Sequence, residues 1–183
     1  MIRLRPAIMA DAATIARIDV ECWRSTYAGI LPERLLLGLS ESERRRSWAT
    51  EAARHPGDLI VATDAQGRVL GFGNCGRARD GDARFAGEVF TLYVAPDEQG
   101  KGTGRGLLLA LFAQLLRRRL GSAVIWVLRD NPSRFFYERL GGKPASTRTM
   151  RLGGAEIPAA GYGWPDLAAV LKTQARSRPL DGG

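Results

Sequence analysis

Cysteine and histidine are scarce in this sequence of 183 residues, which contains two cysteines and one histidine. Cys22 and Cys75 lie far apart and lack the spacing of metal ligands, so we expect neither a disulfide framework nor a zinc site. His55 precedes Pro56 in a polar stretch without a serine or cysteine motif nearby, so neither a catalytic triad nor a metal-binding role is predicted. These absences favour a protein of a reducing compartment, the cytoplasm, without a bound metal.

Long hydrophobic runs are also absent. No segment approaches the ~20 consecutive apolar residues that a membrane-spanning helix needs, and arginine and aspartate interrupt the N-terminal stretch throughout. We therefore expect neither an export signal nor a membrane anchor.

Acidic residues are outnumbered, since 27 lysines and arginines oppose 19 aspartates and glutamates and give a formal net charge of +8 at pH 7. This charge attracts anions, so nucleic acid, acidic membrane and phosphorylated cofactors all stay open as partners. The basic residues are spread along the chain and do not alternate with exposed aromatic residues, which is not typical of a nucleic-acid binder.

The rest of the composition, with 45% hydrophobic and 25% charged residues, is that of one globular domain. Hydrophobic periodicity and turn residues predict the elements in chain order. The first half contains a strand at Ile2–Arg5, a helix from Ala10 with Asp11 as its N-cap, a solvated helix over Glu41–Arg54, and a hairpin of Leu59–Ala62 and Val69–Phe72. The second half contains a hairpin through Arg79–Asp82 into Glu88–Val94, a helix from Gly104, a strand at Ala123–Leu128, a helix opened by Asn131-Pro132, and two final strands before Trp164. This order predicts a mixed α/β domain of three layers.

The glycine-rich segment Gln99–Gly106 joins the strand Glu88–Val94 to the helix that follows. Without a Cβ, Gly100, Gly102 and Gly104 would let their N–H groups approach a diphosphate at the positive end of that helix. Gln99, Lys101 and Arg105 would add polar and cationic groups. The alternative is a flexible surface turn, but the strand and helix on either side favour an anion-binding loop.

A second glycine pattern, Gly71–Gly76, satisfies G-x-G-x-x-G after a predicted strand. A turn follows it where a dinucleotide-binding fold would place a helix, so no helix N-terminus would meet a pyrophosphate. We interpret this segment as a strand with close backbone contacts.

Two separate motifs carry a resemblance to a known family. The segment Gln99-x-x-Gly102-x-Gly104 resembles the Q/R-x-x-G-x-G/A motif of the GNAT superfamily of N-acetyltransferases, and Trp126–Gly142 is similar to the strand, Asn, helix, Phe-Tyr and glycine motif that comes next. Trp23–Pro32 and Tyr162–Asp166 resemble one bacterial branch. The similarity covers residues 2 to about 167, so we expect a domain over residues 1–167 and a loosely ordered tail over 168–183. One departure is Gly142, where a bulky phenylalanine is common.

The resemblance implies a mostly antiparallel central sheet with a splayed pair of strands and helices on both faces. It implies an acetyl-CoA-dependent N-acetyltransferase in which Glu88 is the general base and Tyr137 protonates the leaving thiolate. A water chain or another residue is the alternative to Glu88, and core packing is the alternative role for Tyr137.

The resemblance also assigns residues to acetyl-CoA and to the acceptor amine. The residues expected to bind acetyl-CoA are Leu92, Tyr93, Val94, Gln99, Gly100, Lys101, Gly102, Thr103, Gly104, Arg105, Asn131 and Tyr137, and those expected to line the acceptor pocket are Trp23, Tyr27 and Trp164. Helix capping alone would also explain Asn131.

The expected partners are acetyl-CoA and an amine acceptor, with neither nucleic acid nor membrane, and a homodimer stays open. The charge of +8 disfavours a polycationic acceptor. The alternative function is a non-catalytic module that senses acetyl-CoA, which would need the glycine loop but neither Glu88 nor Tyr137.

Overall fold

The computed structural model describes residues 2–79 and 84–176. Its strands are β1 (Arg3–Pro6), β2 (Leu59–Thr63), β3 (Val69–Arg77), β4 (Gly87–Val94), β5 (Ala123–Leu128), β6 (Lys143–Leu152) and β7 (Ala155–Trp164). Its helices are α1 (Ala12–Thr26), α2 (Glu33–Leu37), α3 (Glu41–Arg54), α4 (Thr103–Arg117), α5 (Arg134–Arg139) and α6 (Leu167–Arg176). The turn of the second predicted hairpin falls largely outside the described residues. Among the described helices, none is long and apolar enough to cross a membrane.

One seven-stranded sheet organises the chain, in the order β1-β2-β3-β4-β5-β7-β6. Every neighbouring pair is antiparallel except β4 and β5, which run parallel. Pairing between these two strands covers only Gly87 to Val89 against Ala123 to Ile125, and beyond that point they diverge. The predicted mixed sheet with a splayed pair of strands is therefore confirmed.

Helices cover both faces of this sheet. Buried side chains of α1 and α3, including Ile15 and Trp48, pack with Val61 and Phe72 of the sheet on one face. The leucine-rich stripe of α4 packs on the other face in a larger core that also contains Trp164. Each face of the sheet is apolar where a helix lies over it, which is why the domain has three layers.

The glycine pattern in β3 is structural, as expected. A Cβ on Gly71 would lie 2.7 Å from the carbonyl oxygen of Tyr93, and one on Gly73 would lie 2.8 Å from that of Thr91. Both neighbours belong to β4, whose backbone approaches β3 too closely for side chains. This segment belongs to the sheet and opens no helix.

Helix α6 corrects the expectation of a loosely ordered tail for residues 168–176. Leu167 is fully buried, and Val170 and Leu171 pack against the core that α4 covers. These three residues have i, i+3, i+4 spacing, so one helix face is apolar and its burial stabilises the helix. Residues 177–183 lie outside the described residues.

The start of α5 also differs from the prediction. The helix begins at Arg134 with Ser133 as its N-cap residue. Asn131 precedes it, and its Oδ1 accepts a hydrogen bond from the backbone N–H of Ser133 at 2.8 Å. The asparagine therefore shapes the turn that leads into α5 and does not itself cap the helix.

Candidate active site

The glycine loop leaves the N-terminus of α4 open. Gly100 and Gly102 have φ angles of 75° and 85°, in the left-handed region, and a Cβ on either would meet no atom within 4 Å. Gly102 is the N-cap of α4, and the N–H of Gly106 donates to its carbonyl at 3.0 Å. The N–H groups of the first turn, from Thr103 to Arg105, therefore have no acceptor within the helix. They carry the positive end of the helix dipole and can bind an anion.

A cleft of about 620 Å³ lies in front of this loop. It is called the loop cleft below, and its lining includes Leu92, Val94, Gln99, Gly100, Gly102, Gly104, Arg105, Ser133, Phe136 and Tyr137. Eight of the fourteen residues that line the cleft belong to the set that the sequence assigns to acetyl-CoA. The Gln99 amide also donates to the carbonyl of Val94 at 3.1 Å, which ties the loop to the end of β4.

Two residues of the predicted set, Lys101 and Thr103, line neither this cleft nor the smaller cavity that adjoins it. Lys101 is exposed, and its ammonium pairs with Glu98 at 3.0 Å. Thr103 is buried, and its hydroxyl has no hydrogen-bond partner among the described residues. Only the backbone of Thr103 faces the open end of the helix, so any contribution to anion binding comes from its N–H group.

Arg105 lines the loop cleft but is held from outside it by α6. Its Nε and Nη2 donate to the side-chain oxygen of Gln174 at 2.9 and 2.7 Å, and Nη2 also donates to the Gln174 carbonyl at 3.3 Å. The segment that the sequence assigns to a tail thus orients a cation beside the helix N-terminus. The remaining guanidinium donors are available to an anion in the cleft.

A smaller cavity of about 90 Å³ occupies the gap between the diverging strands. It is called the splay cavity below, and its lining includes Cys22, Tyr27, Phe90, Thr91, Leu92, Tyr93, Val94, Trp126, Asn131 and Tyr137. Leu92, Val94 and Tyr137 line both spaces, so the loop cleft and the splay cavity adjoin. Beyond Val89 the edge of β4 that faces β5 has lost its strand partner, which leaves backbone groups directed into the gap.

Tyr137 stands where the two spaces meet. Its side chain is 5% exposed and packs against Phe136, Tyr162 and Trp164. Burial, with a smaller contribution from nearby Tyr27, raises the pKa of its hydroxyl well above the ordinary value of 10.0. The hydroxyl makes no hydrogen bond to the described residues, so it is protonated at neutral pH and free to donate.

Tyr27, Tyr93 and Asn131 form a polar group on the wall of the splay cavity. Burial raises the pKa of the Tyr27 hydroxyl, and hydrogen bonds from Tyr93 and Asn131 act in the opposite direction. Burial and the neighbouring Tyr27 hydroxyl raise the pKa of Tyr93 well above its ordinary value. Both tyrosines are therefore neutral hydrogen-bonding groups at physiological pH. The predicted acceptor residue Tyr27 thus lies at the splay cavity together with Tyr93 and Asn131.

Glu88 lies in the last paired stretch of β4, opposite Val124 of β5. Its side chain is buried, and its two oxygens accept hydrogen bonds from Nη2 and the backbone N–H of Arg79 at 2.7 and 3.1 Å. The carboxylate lines neither the loop cleft nor the splay cavity. It precedes Phe90, a wall residue of the splay cavity, by two positions.

The other two residues assigned to the acceptor pocket do not line these spaces. Trp23 is half-buried, packs edge-on against Tyr27 at 5.1 Å and carries the Arg44 guanidinium over its ring. Trp164 is fully buried, and its indole N–H donates to the carbonyl of Leu140 at 3.0 Å. A Cβ on Gly142 would lie 2.6 Å from the Trp164 ring. The glycine at the unusual position therefore makes room for this tryptophan in the core.

Sequence reasoning missed Cys22, Thr91 and Trp126, which also line the splay cavity. Burial, with the nearby charges of Asp19 and Glu21, raises the pKa of the Cys22 thiol to about 12. Its Sγ–H donates to the carbonyl of Val94, so the thiol is a packing and hydrogen-bonding group and not a nucleophile. The indole N–H of Trp126 is buried without a hydrogen-bond partner among the described residues. The alternation of side chains between the two faces of β4 is the sequence pattern that could have indicated Thr91.

Comparison with known protein families identifies the chain's relatives. A family model described as the acetyltransferase (GNAT) family matches residues 15–142. The chain is 32% identical over 173 residues to a Bacillus subtilis protein named uncharacterized N-acetyltransferase YuaI, and the match covers 94% of this chain and 98% of the other. It is also 38% identical over 104 residues to mycothiol acetyltransferase of Rhodococcus opacus, which covers 55% of this chain and 33% of that enzyme.

Solved structures share the fold over most of the chain. The PaiA N-acetyltransferase of Thermoplasma acidophilum, solved with coenzyme A, superimposes with a TM-score of 0.64 at 20% identity, covering 87% of this chain and 98% of the other. A GNAT superfamily phosphinothricin acetyltransferase of Sinorhizobium meliloti, solved with acetyl-CoA, gives 0.65 at 25% identity, covering 90% and 88%. The predicted fold class is confirmed by these similarities.

Proposed function

Because the chain belongs to the GNAT family of acetyltransferases, we propose that it transfers the acetyl group of acetyl-CoA to a primary amine by direct attack on the thioester. The observation that carries this proposal is the continuous space formed by the loop cleft and the splay cavity, with the open N-terminus of α4 at one end and Tyr137 at the junction. Membership of this family favours turnover over a module that only senses acetyl-CoA.

The residues around the loop cleft fit a CoA molecule. The diphosphate would bind the free N–H groups of the first turn of α4, where glycines remove the side chains that would block its approach. Arg105 would add charge, oriented by Gln174. The pantetheine arm would lie along β4 at Leu92 to Val94, where the strand edge has no partner on the β5 side.

The reaction needs two proton transfers, and the chain offers a group for each. An alkylammonium has a pKa near ~10 and no free electron pair, so the amine must lose a proton before it attacks. The N–C bond then forms as the C–S bond breaks, and the departing thiolate takes up a proton. Tyr137 is the proposed donor because its hydroxyl lies at the junction, is protonated, and is not committed to another hydrogen bond.

Glu88 is the proposed base, acting through water. Its carboxylate is buried and lines neither the loop cleft nor the splay cavity, so direct contact with the amine is not supported. Charge that develops on the carbonyl oxygen would be stabilised by backbone N–H groups on the free edge of β4.

The test is a direct assay of acetyl transfer. The purified chain is mixed with acetyl-CoA and a panel of amines, CoA release is followed with a thiol reagent, and the acetylated product is identified by mass spectrometry. We expect amine-dependent thiol release and a product heavier by one acetyl group. Binding of CoA without acetylation of any amine would support the sensing alternative and contradict the proposal.

A further inference from the structure

A third space lies beside α3, at the end of β3 where β2 no longer pairs with it. This α3 cleft has a volume of about 580 Å³, and its lining includes Glu51, Asn74, Phe90, Thr91 and several arginines. Phe90 and Thr91 also line the splay cavity. The α3 cleft therefore adjoins the splay cavity at these two residues of β4, and it shares no lining residue with the loop cleft.

A chain of polar side chains crosses the inner wall of the α3 cleft. The Thr91 hydroxyl donates to the side-chain oxygen of Asn74, and the Asn74 amide donates to Oε1 of Glu51 at 3.3 Å. Glu51 is half-buried and makes no ion pair with a described residue. A carboxylate without an ion-pair partner among the described residues is thus connected through Asn74 to Thr91, a residue shared with the splay cavity, and it can attract an ammonium group.

Four arginines also line the cleft. Arg79 pairs with Glu88, Arg118 pairs with Asp58, and Arg44 lies 3.6 Å from Asp19. Arg79 also stacks on Phe90, with its guanidinium carbon 4.1 Å from the ring centre. Arg77, exposed at the end of β3, forms neither a hydrogen bond nor an ion pair with the described residues. Among the described residues its guanidinium therefore has no ion-pair partner.

On the basis of the proposed acetyl transfer, we propose that the α3 cleft binds the acceptor, a small amine that carries a carboxylate. Glu51 holds the ammonium end beside Thr91 and the splay cavity. Arg77 binds the carboxylate, and the other arginines make the cleft favourable for an anion and unfavourable for a polycation. Because the α3 cleft and the loop cleft share no lining residue, acceptor and acetyl-CoA can be bound at the same time, which direct attack requires.

The experiment compares amino acids with their own carboxamides. The α- and γ-amino acids, each paired with the corresponding amide, are tested as acceptors by thiol release with saturating acetyl-CoA. The γ pair is needed because amidation of an α-amino acid also lowers the pKa of its ammonium group. We expect kcat/KM to favour the carboxylate over the amide by at least ~10-fold, since one hydrogen-bonded ion pair is lost in the amide.

Variants assign the effect to the two ends of the cleft. Arg77→Gln should reduce the preference for the carboxylate to less than about threefold, and Glu51→Gln should raise the acceptor KM by ~10-fold for both members of a pair. The matched control is Arg45→Gln, an exposed arginine on α3 that does not line the cleft, and it should change neither value. Calorimetric titration should give the parent's CoA dissociation constant for all three variants.

The outcomes separate this assignment from the proposed function. An enzyme that binds CoA and acetylates amines, but prefers the carboxamides or keeps its preference in Arg77→Gln, overturns the acceptor assignment and leaves acetyl transfer intact. Absence of both CoA binding and thiol release with every amine contradicts the proposed function itself.

Discussion

Gly104 offers the sharpest test of the loop cleft, because a change there should separate binding from folding. It lies in the first turn of α4 and lines the cleft. A Cβ at this position would lie 3.4 Å from the ring of Phe136 and 3.6 Å from a methyl of Val94, which are ordinary contacts. The backbone there has no positive φ. Gly104→Val should therefore fold, while its methyl groups occupy the space in front of the helix N-terminus.

The size of the effect follows from the hydrogen bonds that the valine would prevent. Each hydrogen bond from a backbone N–H to a phosphate oxygen is worth about 1.5–3 kcal/mol. Loss of two would weaken CoA binding by roughly 3–6 kcal/mol, which is ~10²-fold or more in the dissociation constant. Replacing glycine by valine within a helix changes stability by less than about 1 kcal/mol, so the loss of binding should greatly exceed any loss of stability.

The assay is calorimetric titration of CoA into the parent, Gly104→Val and the control Gly106→Ala. Gly106 lies two positions further along α4, does not line the cleft, and a Cβ there would make only an ordinary contact of 3.5 Å with Leu4. The control should bind CoA like the parent, and circular dichroism should show both variants folded. A folded Gly104→Val protein with the parent's dissociation constant would refute the assignment of the loop cleft to CoA.

Three further predictions concern single side chains. Tyr137→Phe should lower kcat by ~10²-fold without changing CoA affinity. Because the pKa of the Tyr137 hydroxyl is raised above 10.0, kcat of the parent protein should not fall with rising pH below about pH 10. Full activity of the variant with acetyl-CoA would mean that the tyrosine only packs in the core. Glu88→Gln should lower kcat by ~10²-fold at unchanged CoA affinity, and an unchanged kcat would assign the base to another group. Trp164→Ala should lower the free energy of unfolding in urea by about 3–5 kcal/mol. A variant with the parent's stability but a raised KM for the acceptor would instead support a role of Trp164 in the acceptor pocket.

The loop cleft could be predicted from sequence because its parts are consecutive. Strand β4, the glycine loop and α4 follow one another between Gly87 and Arg117, so local geometry brings their backbone groups together without help from distant residues. Hydrophobic periodicity predicted most of the helices and strands for the same reason, because the period along the chain reflects which face is buried. The short α6 was missed although Leu167, Val170 and Leu171 follow helical spacing.

Residues that act across distant parts of the chain were decided by the tertiary structure. The sequence could place Trp164 at the end of a strand, but only packing against Gly142 and Phe112 shows that it fills the core. Likewise, a glutamate on β4 is visible in sequence, whereas its pairing with Arg79 depends on the path of the chain after β3.

The same limit applies to the α3 cleft, the support of Arg105 by Gln174 and the meeting of Glu51, Asn74 and Thr91. Each joins segments more than 15 residues apart, and the sequence contains no local pattern that specifies their contact. The sequence by itself determined the family fold and the loop that would bind CoA, because both depend on short-range periodicity and backbone geometry. The tertiary structure decided which charges are paired and which are left free to meet a substrate, because burial and pairing depend on the packing of segments that are distant in the chain.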